Sequence, residues 1–276
     1  MRARRTLGLA ALAALATTCA HPPTVHEPPV PPVAATGPAF RLLTYNVNFG
    51  IPGDAATVAA IRDADADLVL LQETNAAWEQ ALRKALSPTF PAMLFKNRAA
   101  AAGFAVLSRL PIVESELIPP SGDGWFPALR IVVETPFGRV QALSVHLRPP
   151  VSESGSAFGL LLPTEAVRVA EIRGFVARLS PDVPTLVAGD FNEEEDGDAV
   201  RVLRERGMRS ALARHAPGQP TWRWKTVFGT LHRQLDHVFY DARLDVAWAA
   251  VRVAGRSDHL PVIAVVTSVT PTNRPR

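Results

Sequence analysis

The sequence predicts an α/β sandwich in which mixed β-sheets are flanked by helices within one domain. Two observations support this prediction. Apolar, β-rich runs alternate with helical patterns along the chain, and several of these runs end in polar residues. The length of 276 residues leaves room for one large domain or two small ones. A hydrophobic fraction of 47% with 20% charged residues is ordinary for a globular protein with ample core.

Residues 1–20 have the pattern of a secretory signal peptide. Arg2, Arg4 and Arg5 precede an apolar run from Leu7 to Ala16. That run is shorter than the ~20 apolar residues that a membrane span requires. The segment therefore predicts an exported protein.

The only cysteine, Cys19, lies at the end of this segment and leaves two alternatives open. Its surroundings resemble a bacterial lipoprotein cleavage site, where the thiol becomes lipidated, although Leu15 stands one position early. The other alternative is simple secretion with cleavage after Ala20. The predicted location is accordingly either a lipid tether on the cell envelope or a secreted or periplasmic one. A single cysteine excludes an intrachain disulfide.

Residues 21–38 contain seven prolines and predict an extended linker, so the folded domain is expected at residues 39–270. The net charge of +3 includes the three arginines of the signal segment. Without them the chain is close to neutral, and no global basic field indicates a nucleic-acid partner. Residues 199–256, however, hold 11 Lys and Arg against 4 Asp and Glu, which predicts one basic face.

The individual elements follow from local patterns. Asn75 is a typical helix N-cap, Thr164 with the preceding proline starts another helix, and Pro136–Gly138 forms a hairpin turn. The predicted helices span residues 55–64, 76–86, 164–179 and 198–206. The predicted strands span residues 41–48, 67–73, 102–108, 112–118, 129–134, 140–146, 185–188, 234–240, 244–253 and 261–266.

The stretch from Val187 to Asn192 occupies the centre of this pattern. An apolar strand ends in Gly189, and a carboxylate and a carboxamide follow at Asp190 and Asn192. Two residues apart on an extended chain, these side chains point to the same side, which favours a functional site at the strand end. Taken alone, the same residues also fit an Asx-rich turn that closes the strand.

Other predicted strands also end in, or are closely followed by, polar residues that suit chemistry. Any one of them is unremarkable, because a glutamate at a strand end is usually solvated and a lone histidine is usually structural. Their number makes chance placement an unsatisfactory explanation. The set comprises Asn46, Glu73, His146, Asp190, Asn192, Asp236, Asp258 and His259.

The motifs around these residues, taken in order, resemble the endonuclease/exonuclease/phosphatase superfamily from about residue 40 to residue 266. This superfamily includes pancreatic-type deoxyribonuclease, neutral sphingomyelinases and inositol-polyphosphate phosphatases. The resemblance implies a four-layer α/β sandwich, with two mixed central sheets packed face to face and helices outside. The motifs that support it are Thr44-Tyr45-Asn46-Val47, Leu71-Gln72-Glu73, Gly103 to Arg109, His146-Leu147, Gly189-Asp190-Phe191-Asn192, Pro220-Thr221-Trp222, Leu235 to Phe239 and Ser257 to Val262.

The resemblance also implies a metal cofactor. A phosphate ester is anionic and repels hydroxide, so a cation must offset charge and a base must activate water. Glu73 is an oxygen ligand suited to Mg²⁺, with Mn²⁺ and Ca²⁺ as alternatives. By resemblance, Asn46 contacts or ligates that metal, and Asp258 lies against the metal or its waters.

The remaining roles are likewise implied by the resemblance. His259 is expected to be the general base, and Asp236 to hold its other ring nitrogen. Asp190 and Asn192 are expected to position the attacking water and a non-bridging oxygen. His146 is expected to donate to the phosphate or to protonate the leaving group, and its presence favours the deoxyribonuclease and sphingomyelinase branch over abasic-site repair enzymes.

Two residues depart from the family pattern, and both stand beside Asp236. Gln234 replaces an arginine that often precedes the Leu-Asp pair, and His237 replaces a tyrosine that is common after the aspartate. Neither residue takes part in the expected chemistry. The departures therefore put substrate contacts in doubt rather than activity.

The predicted loops offer candidate substrate contacts. Trp222 to Lys225 interleaves aromatic and basic residues, which fits base stacking with phosphate contact, a lipid-surface anchor, or a packed tryptophan with solvated neighbours. Arg98, Arg148 and Lys96 are candidate phosphate contacts, and ordinary surface charge is the alternative for each.

The sequence thus predicts a monomeric, metal-dependent phosphoesterase that cleaves phosphodiester bonds, with DNA as the first substrate class. A lipid or inositol-phosphate phosphoesterase is one alternative. A catalytically inactive binding module of the same fold is another, and its sign would be the loss of Glu73, Asp190 or His259, all of which are present.

Overall fold

The computed structural model describes residues 37–150, 164–227 and 229–269. The predicted signal peptide, the linker as far as residue 36, most of the loop around residue 155 and the last residues of the predicted domain lie outside these ranges. Within the described residues, no helix is long and apolar enough to cross a membrane.

The described residues form five α-helices, a short 3₁₀ helix at Ala100–Ala102, and strands in three sheets. The helices are α1 Ala55–Asp63, α2 Ala76–Leu86, α3 Glu165–Val176, α4 Asp198–Glu205 and α5 Ala211–His215. The strands are β1 Ala39–Asn46, β2 Leu68–Gln72, β3 Ala92–Lys96, β4 Phe104–Ser108, β5 Ile112–Ile118, β6 Ala128–Thr135, β7 Gly138–His146, β8 Thr185–Asp190, β9 Arg209–Ser210, β10 Trp222–Thr226, β11 Gly229–Arg233, β12 Asp236–Tyr240, β13 Leu244–Val251 and β14 Val262–Ser268.

Two six-stranded mixed sheets form the centre of the molecule. One has the strand order β13-β14-β1-β2-β4-β3, and the other has the order β5-β6-β7-β8-β12-β9. Their inner faces share one apolar core, which includes Leu42 and Leu70 from the first sheet and Ile131 and Ala188 from the second. The outer face of each sheet packs on its own pair of helices, α1 and α2 or α3 and α4. The predicted four-layer α/β sandwich is thereby confirmed.

One parallel strand pair in each sheet brings the polar strand ends together. β1 runs parallel to β2 with Asn46 opposite Gln72, and β7 runs parallel to β8 with His146 opposite Asp190. Since parallel strands end at the same edge of a sheet, their following residues meet there. β12 runs antiparallel to β8 and places Asp236 opposite Asp190, at the same edge.

Most predicted elements are present within one to three residues of their expected ends. The Asn75 side chain caps α2 by accepting the Trp78 amide, and the hairpin turn between β6 and β7 lies at residues 136–137, as expected. The predicted proline start of α3 lies outside the described residues.

The sequence interpretation missed five elements: β3, β9, α5, and the two strands β10 and β11 of a hairpin. The prediction that Trp222 to Lys225 forms a loop is wrong, because this stretch pairs with β11 in a two-stranded sheet. β10 does alternate tryptophan with basic residues, the period of a half-buried strand, so this signal was available. Its partner β11 begins with glycine, is largely exposed and shows no comparable alternation.

Candidate active site

Glu73 follows β2 directly and is turned into the cleft by an unusual backbone conformation. Its φ of +60° lies in the left-handed region, which non-glycine residues adopt rarely. Asn46, at the end of β1, donates from Nδ2 to Glu73 Oε1 at 2.9 Å and to Asp190 Oδ2 at 3.1 Å. Burial raises the pKa of Glu73, while the bond from Asn46 opposes that shift. One amide therefore links two carboxylates that come from different sheets.

Asp190, His259 and Asp236 form a buried line of three groups. His259 Nδ1 lies 2.8 Å from Asp236 Oδ2, and His259 Nε2 lies 3.4 Å from Asp190 Oδ2. Burial alone would lower the pKa of His259, but the two carboxylates outweigh it and raise the pKa to about 10. Burial also raises the pKa of Asp190, and His259 opposes that change. The imidazole is therefore held on both sides, and at neutral pH the two carboxylates keep it protonated. Its expected role as a base requires part of this negative charge to be offset, as a divalent cation bound at Glu73 would do.

His146 lies on the other side of Asp190. Its Nε2 is 3.6 Å from Asp190 Oδ2 and 3.9 Å from Glu73 Oε1. Nδ1 lies 3.3 Å from the carbonyl oxygen of Ala101, and the Phe126 ring stacks on the imidazole with centroids 4.2 Å apart. Burial lowers the pKa of His146. The expected donor role therefore requires a proton that an incoming anionic phosphate would favour.

Asn192 belongs to the turn after β8 rather than to an extension of the strand. Its backbone N–H donates to Asp190 Oδ1 at 2.9 Å and its φ is +50°, so the Asx-turn interpretation is correct. The Asn192 side chain donates to the Leu147 carbonyl at 2.9 Å and remains partly exposed at the cleft. The turn and the functional site are therefore the same structure.

Gly189 explains how β7 and β8 approach each other so closely at this point. Its φ is +142°, and a Cβ there would lie 2.0 Å from the backbone oxygen of Val145. Only glycine fits that space, since L side chains rarely adopt this conformation.

Asp258 lies near Glu73 and His259, because its charge raises the pKa of both groups. Its Oδ1 accepts from Asn48 Nδ2 at 3.0 Å, and its Oδ2 accepts from Trp222 Nε1 at 3.1 Å. Trp222 also forms an isolated backbone bridge with His259. Trp222 is therefore attached to the site edge, half-buried, while its neighbour Trp224 is 46% exposed.

The three basic residues predicted as phosphate contacts lie at different positions relative to the site. Arg98 is exposed in the segment after β3, and Lys96 ends β3 in a half-buried position. Neither has a contact that joins it to the carboxylates of the site. Arg148 lies two residues after His146, and its guanidinium covers the ring of Trp125 at 4.1 Å.

Two buried hydroxyls that received no role from the sequence position the base and its partner. Thr221 Oγ1 accepts from the Leu235 and Asp236 amides, each at 2.9 Å. Ser257 Oγ donates to the Asn46 carbonyl at 2.8 Å and accepts from the His259 amide at 3.2 Å. Both residues stand inside recognised motifs, and that placement was the available signal.

A buried ion pair stabilises the turn after β8. Arg168 Nε donates to Glu193 Oε1 at 2.7 Å, with both side chains about 95% buried, and Arg168 also reaches the Arg148 carbonyl. The two departures from the family pattern lie in this region. His237 is fully buried with Nε2 2.9 Å from the Glu193 carbonyl, and Gln234 is buried and donates to the Ala216 and Gln219 carbonyls. Neither is placed to contact a substrate.

The comparisons with known proteins agree with this geometry. The model of the Endonuclease/Exonuclease/phosphatase family matches residues 43–259, so the chain belongs to that family. A comparison of the sequence with curated proteins gives no match.

Solved structures of low sequence identity share the fold. An endonuclease/exonuclease/phosphatase from Beutenbergia cavernae is 19% identical with a TM-score of 0.64, covering 84% of this chain and 72% of that chain. The human Nocturnin catalytic domain with bound sulfate is 17% identical with a TM-score of 0.62, covering 84% and 94%. D. rerio TDP2 with a single-strand DNA product is 16% identical with a TM-score of 0.61, covering 83% and 99%.

The residues fit the divalent metal on which the family generally depends. Two carboxylates, Glu73 and Asp190, face each other across the Asn46 amide, and oxygen ligands of this kind suit Mg²⁺ or a similar hard cation. Asp190, Asp236 and His259 also place one ligand atom each within 4.8 Å of one another. In that group both ring nitrogens of His259 already face carboxylates. Glu73 is consequently the better anchor for a metal.

Proposed function

We propose that this protein is a metal-dependent phosphodiesterase that acts on DNA. The observation that supports the proposal is the line of Asp236, His259 and Asp190, which ends beside the pair of Glu73 and Asn46. The chain belongs to a family of phosphoric-ester hydrolases, and the complete set of expected side chains argues against an inactive binding module.

In the proposed reaction, water attacks phosphorus and the bond to the ester oxygen breaks. His259 Nε2 takes the proton from water, while Asp236 holds the Nδ1–H and stabilises the imidazolium. Asp190 and Asn192 orient the water and a non-bridging oxygen. His146, once protonated, returns a proton to the leaving alcohol. A divalent cation bound at Glu73 would offset the negative charge of the phosphate and that of the nearby carboxylates.

The hairpin of β10 and β11 supports a nucleic-acid substrate. Trp222 and Trp224 share one face with ring centroids 5.8 Å apart, and Arg223 and Lys225 lie on the other. Aromatic side chains beside cations are typical of surfaces that bind single strands. The neighbouring TDP2 structure contains a single-strand DNA product.

The same hairpin gives a reason to keep a lipid phosphodiester as the second candidate. Val227 is 92% exposed and Leu231 is 50% exposed. Exposed aliphatic residues do not stack on bases, whereas apolar and basic residues together suit a lipid surface.

A substrate panel tests the proposal. Plasmid DNA, RNA, sphingomyelin and inositol phosphates would each be incubated with the protein, with Mg²⁺ and with EDTA. The His259→Ala variant serves as the blank. We expect DNA to be cleaved with Mg²⁺ only, and not by the variant. Cleavage of sphingomyelin but not DNA would favour the second candidate, and no turnover of any phosphoester would refute both.

A further inference from the structure

Arg148 is a cation at the edge of the proposed active site, and its charge acts on the buried carboxyl group of Glu171. Among the described residues it makes no ion pair, and its Nε is buried without a hydrogen-bond partner. Its guanidinium is nevertheless fixed in place, because it stacks on the Trp125 ring at 4.1 Å and donates to the Asp123 carbonyl at 2.6 Å. A guanidinium that is fixed in place, and makes no ion pair among the described residues, is oriented to bind an anion.

A continuous series of ring contacts connects Arg148 to the site. The Phe126 ring stacks on His146 at 4.2 Å, and the Trp125 ring meets Phe126 edge-on at 6.2 Å. Along the chain, Arg148 stands two residues beyond His146, which corresponds to about 7 Å of extended backbone. The cation is therefore close to the reacting phosphate but separate from it.

Glu171 of α3 lies beneath this arrangement and is fully buried. Its Oε2 accepts the Arg148 amide at 2.8 Å, and its Oε1 lies so near the loop that a Cβ on Gly124 would be 2.4 Å away. The carboxyl group thus holds the backbone of Arg148 and abuts the loop that carries Trp125. The guanidinium of Arg148 stacks on Trp125, so among the described residues it forms no ion pair with this carboxyl group, although its charge still acts on Glu171.

We propose that Trp125 and Arg148 form a subsite for the substrate phosphate next to the scissile one, and that Glu171 is the positioning residue of this subsite. The inference rests on the proposed function, because a nucleic-acid strand carries one phosphate per nucleotide and so presents a second anion beside the reacting one. A substrate with a single phosphate cannot use the subsite.

Two measurements test the proposal. The first is the binding of a short fluorescein-labelled single-stranded oligodeoxynucleotide in EDTA, by fluorescence anisotropy over a range of salt. Arg148→Gln should weaken binding about tenfold, as for the loss of a charged hydrogen bond, and should reduce the salt slope by about one. Arg173→Gln, which removes an exposed cation from α3, should bind as the wild type does.

The second measurement compares kcat/KM for the oligonucleotide with kcat/KM for bis(p-nitrophenyl) phosphate, which has one phosphate. Arg148→Gln should lower the first value about tenfold more than the second, mainly through KM. Glu171→Leu should act in the same direction as Arg148→Gln. Glu171→Gln should retain most of the wild-type affinity for the oligonucleotide, unlike Glu171→Leu, because the amide oxygen of glutamine still accepts the Arg148 N–H.

The outcomes separate this inference from the proposed function. Wild-type affinity and salt slope in Arg148→Gln would overturn the subsite. An equal loss of affinity in Glu171→Gln and Glu171→Leu would overturn the positioning role. If Arg148→Gln weakens oligonucleotide binding as expected but no phosphodiester is hydrolysed by the wild type, the proposed function fails while the subsite stands.

Discussion

At the scale of single residues, the contact between His259 and Asp236 allows the loss of rate in variants of the two residues to be estimated. At 2.8 Å, with both groups buried, the two side chains act as one unit. Loss of a general base typically costs ~10²–10⁴-fold in rate, and residues that act as a unit are strongly non-additive. We therefore expect similar residual rates for His259→Ala, Asp236→Ala and the double variant, measured as kcat/KM on the cleaved substrate.

His215→Ala provides the matched control, since this histidine of α5 is bonded to the Val246 carbonyl away from the cleft. It should retain wild-type activity, and circular dichroism should show that all variants fold. If the fold loss of kcat/KM in the double variant equals the product of the fold losses in the two single variants, the dyad assignment is wrong. Asp190 would then be the better candidate for the base.

Glu73 is the residue whose charge we expect to matter most for the metal. Glu73→Gln keeps the shape of the side chain but removes the negative charge that holds a cation. Activity at limiting Mg²⁺ should fall by about 100-fold or more and recover in part at high Mg²⁺. The measurement is a Mg²⁺ titration of initial rates.

Glu79→Gln is the control for this titration, because Glu79 lies in α2, close to Glu73 in the sequence, and pairs with Arg83. It should leave the Mg²⁺ dependence unchanged. A wild-type enzyme that is fully active in EDTA would contradict the assignment of Glu73.

The ionisable groups and Asn46 of the candidate site could be predicted from the sequence, whereas its hydroxyl groups could not. Glu73, Asp190, Asp236 and His259 stand at strand ends in the sequence and do converge. Thr221 and Ser257 could not be assigned from their type, because a hydroxyl becomes informative only when its partners are known. Asp258 was expected beside a metal or its waters, and that role stays a prediction. Its bonds to Asn48 and Trp222 could not be predicted, since its direction is set by a loop conformation that strand periodicity does not determine.

At the scale of elements, α3 carries a buried acid that makes stability depend on pH. Burial raises the pKa of Glu171 from 4.5 to about 7, against the opposing effects of the Arg148 and Trp125 amides and of the Arg148 and Arg168 charges. Because the folded state binds this proton more tightly than the unfolded state, the contribution is fully present below about pH 4.5. It is lost as pH rises through about 7, and amounts to at most about 3 kcal/mol.

We expect the free energy of unfolding of Glu171→Gln to change less between pH 5 and pH 8 than that of the wild type, with the wild type losing stability relative to the variant as pH rises. Urea denaturation at a series of pH values measures this. Glu165→Gln removes an exposed carboxylate from the same helix and should follow the wild-type curve. Parallel curves for the wild type and Glu171→Gln would show that Glu171 does not titrate in this range.

The helices and strands were predictable where the spacing of apolar residues and the capping residues indicated the same element. β2 is buried throughout and apolar up to Gln72, and α2 begins at a capping asparagine, so local pattern and tertiary position indicate the same structure. The hairpin of β10 and β11 is different, because its strands lie largely at the surface and form a separate two-stranded sheet, joined to the rest by an isolated bridge at Trp222. β9 has two residues and exists through its pairing with β12.

At the scale of the whole molecule, the two sheets form the site only because they pack face to face. Asn46 and Glu73 come from one sheet, whereas His146, Asp190 and Asp236 come from the other. The shared core between the sheets therefore determines the distances in the site. A change that shifts one sheet relative to the other would disturb catalysis without touching a catalytic side chain.

The first described residues of the chain lead into β1, whose opposite end carries Asn46. A tether attached ahead of β1 would thus leave the domain at the edge away from the site. The proline content of residues 21–38 predicts an extended linker, and a linker of that kind would separate the domain from a membrane. This expectation is compatible with the lipid proposed on Cys19.

We expect the full-length protein to incorporate a radiolabelled or alkyne-tagged fatty acid through Cys19 when it is expressed in a bacterium, because the thiol follows a basic and then apolar segment. Cys19→Ala removes the only thiol of the chain and should abolish the label. The variant should also move from the membrane fraction to the soluble exported fraction while keeping the activity of the catalytic domain, which is remote in sequence. A wild-type protein that takes no label would favour simple secretion with cleavage after Ala20. Label retained by Cys19→Ala would show that the lipid is attached elsewhere.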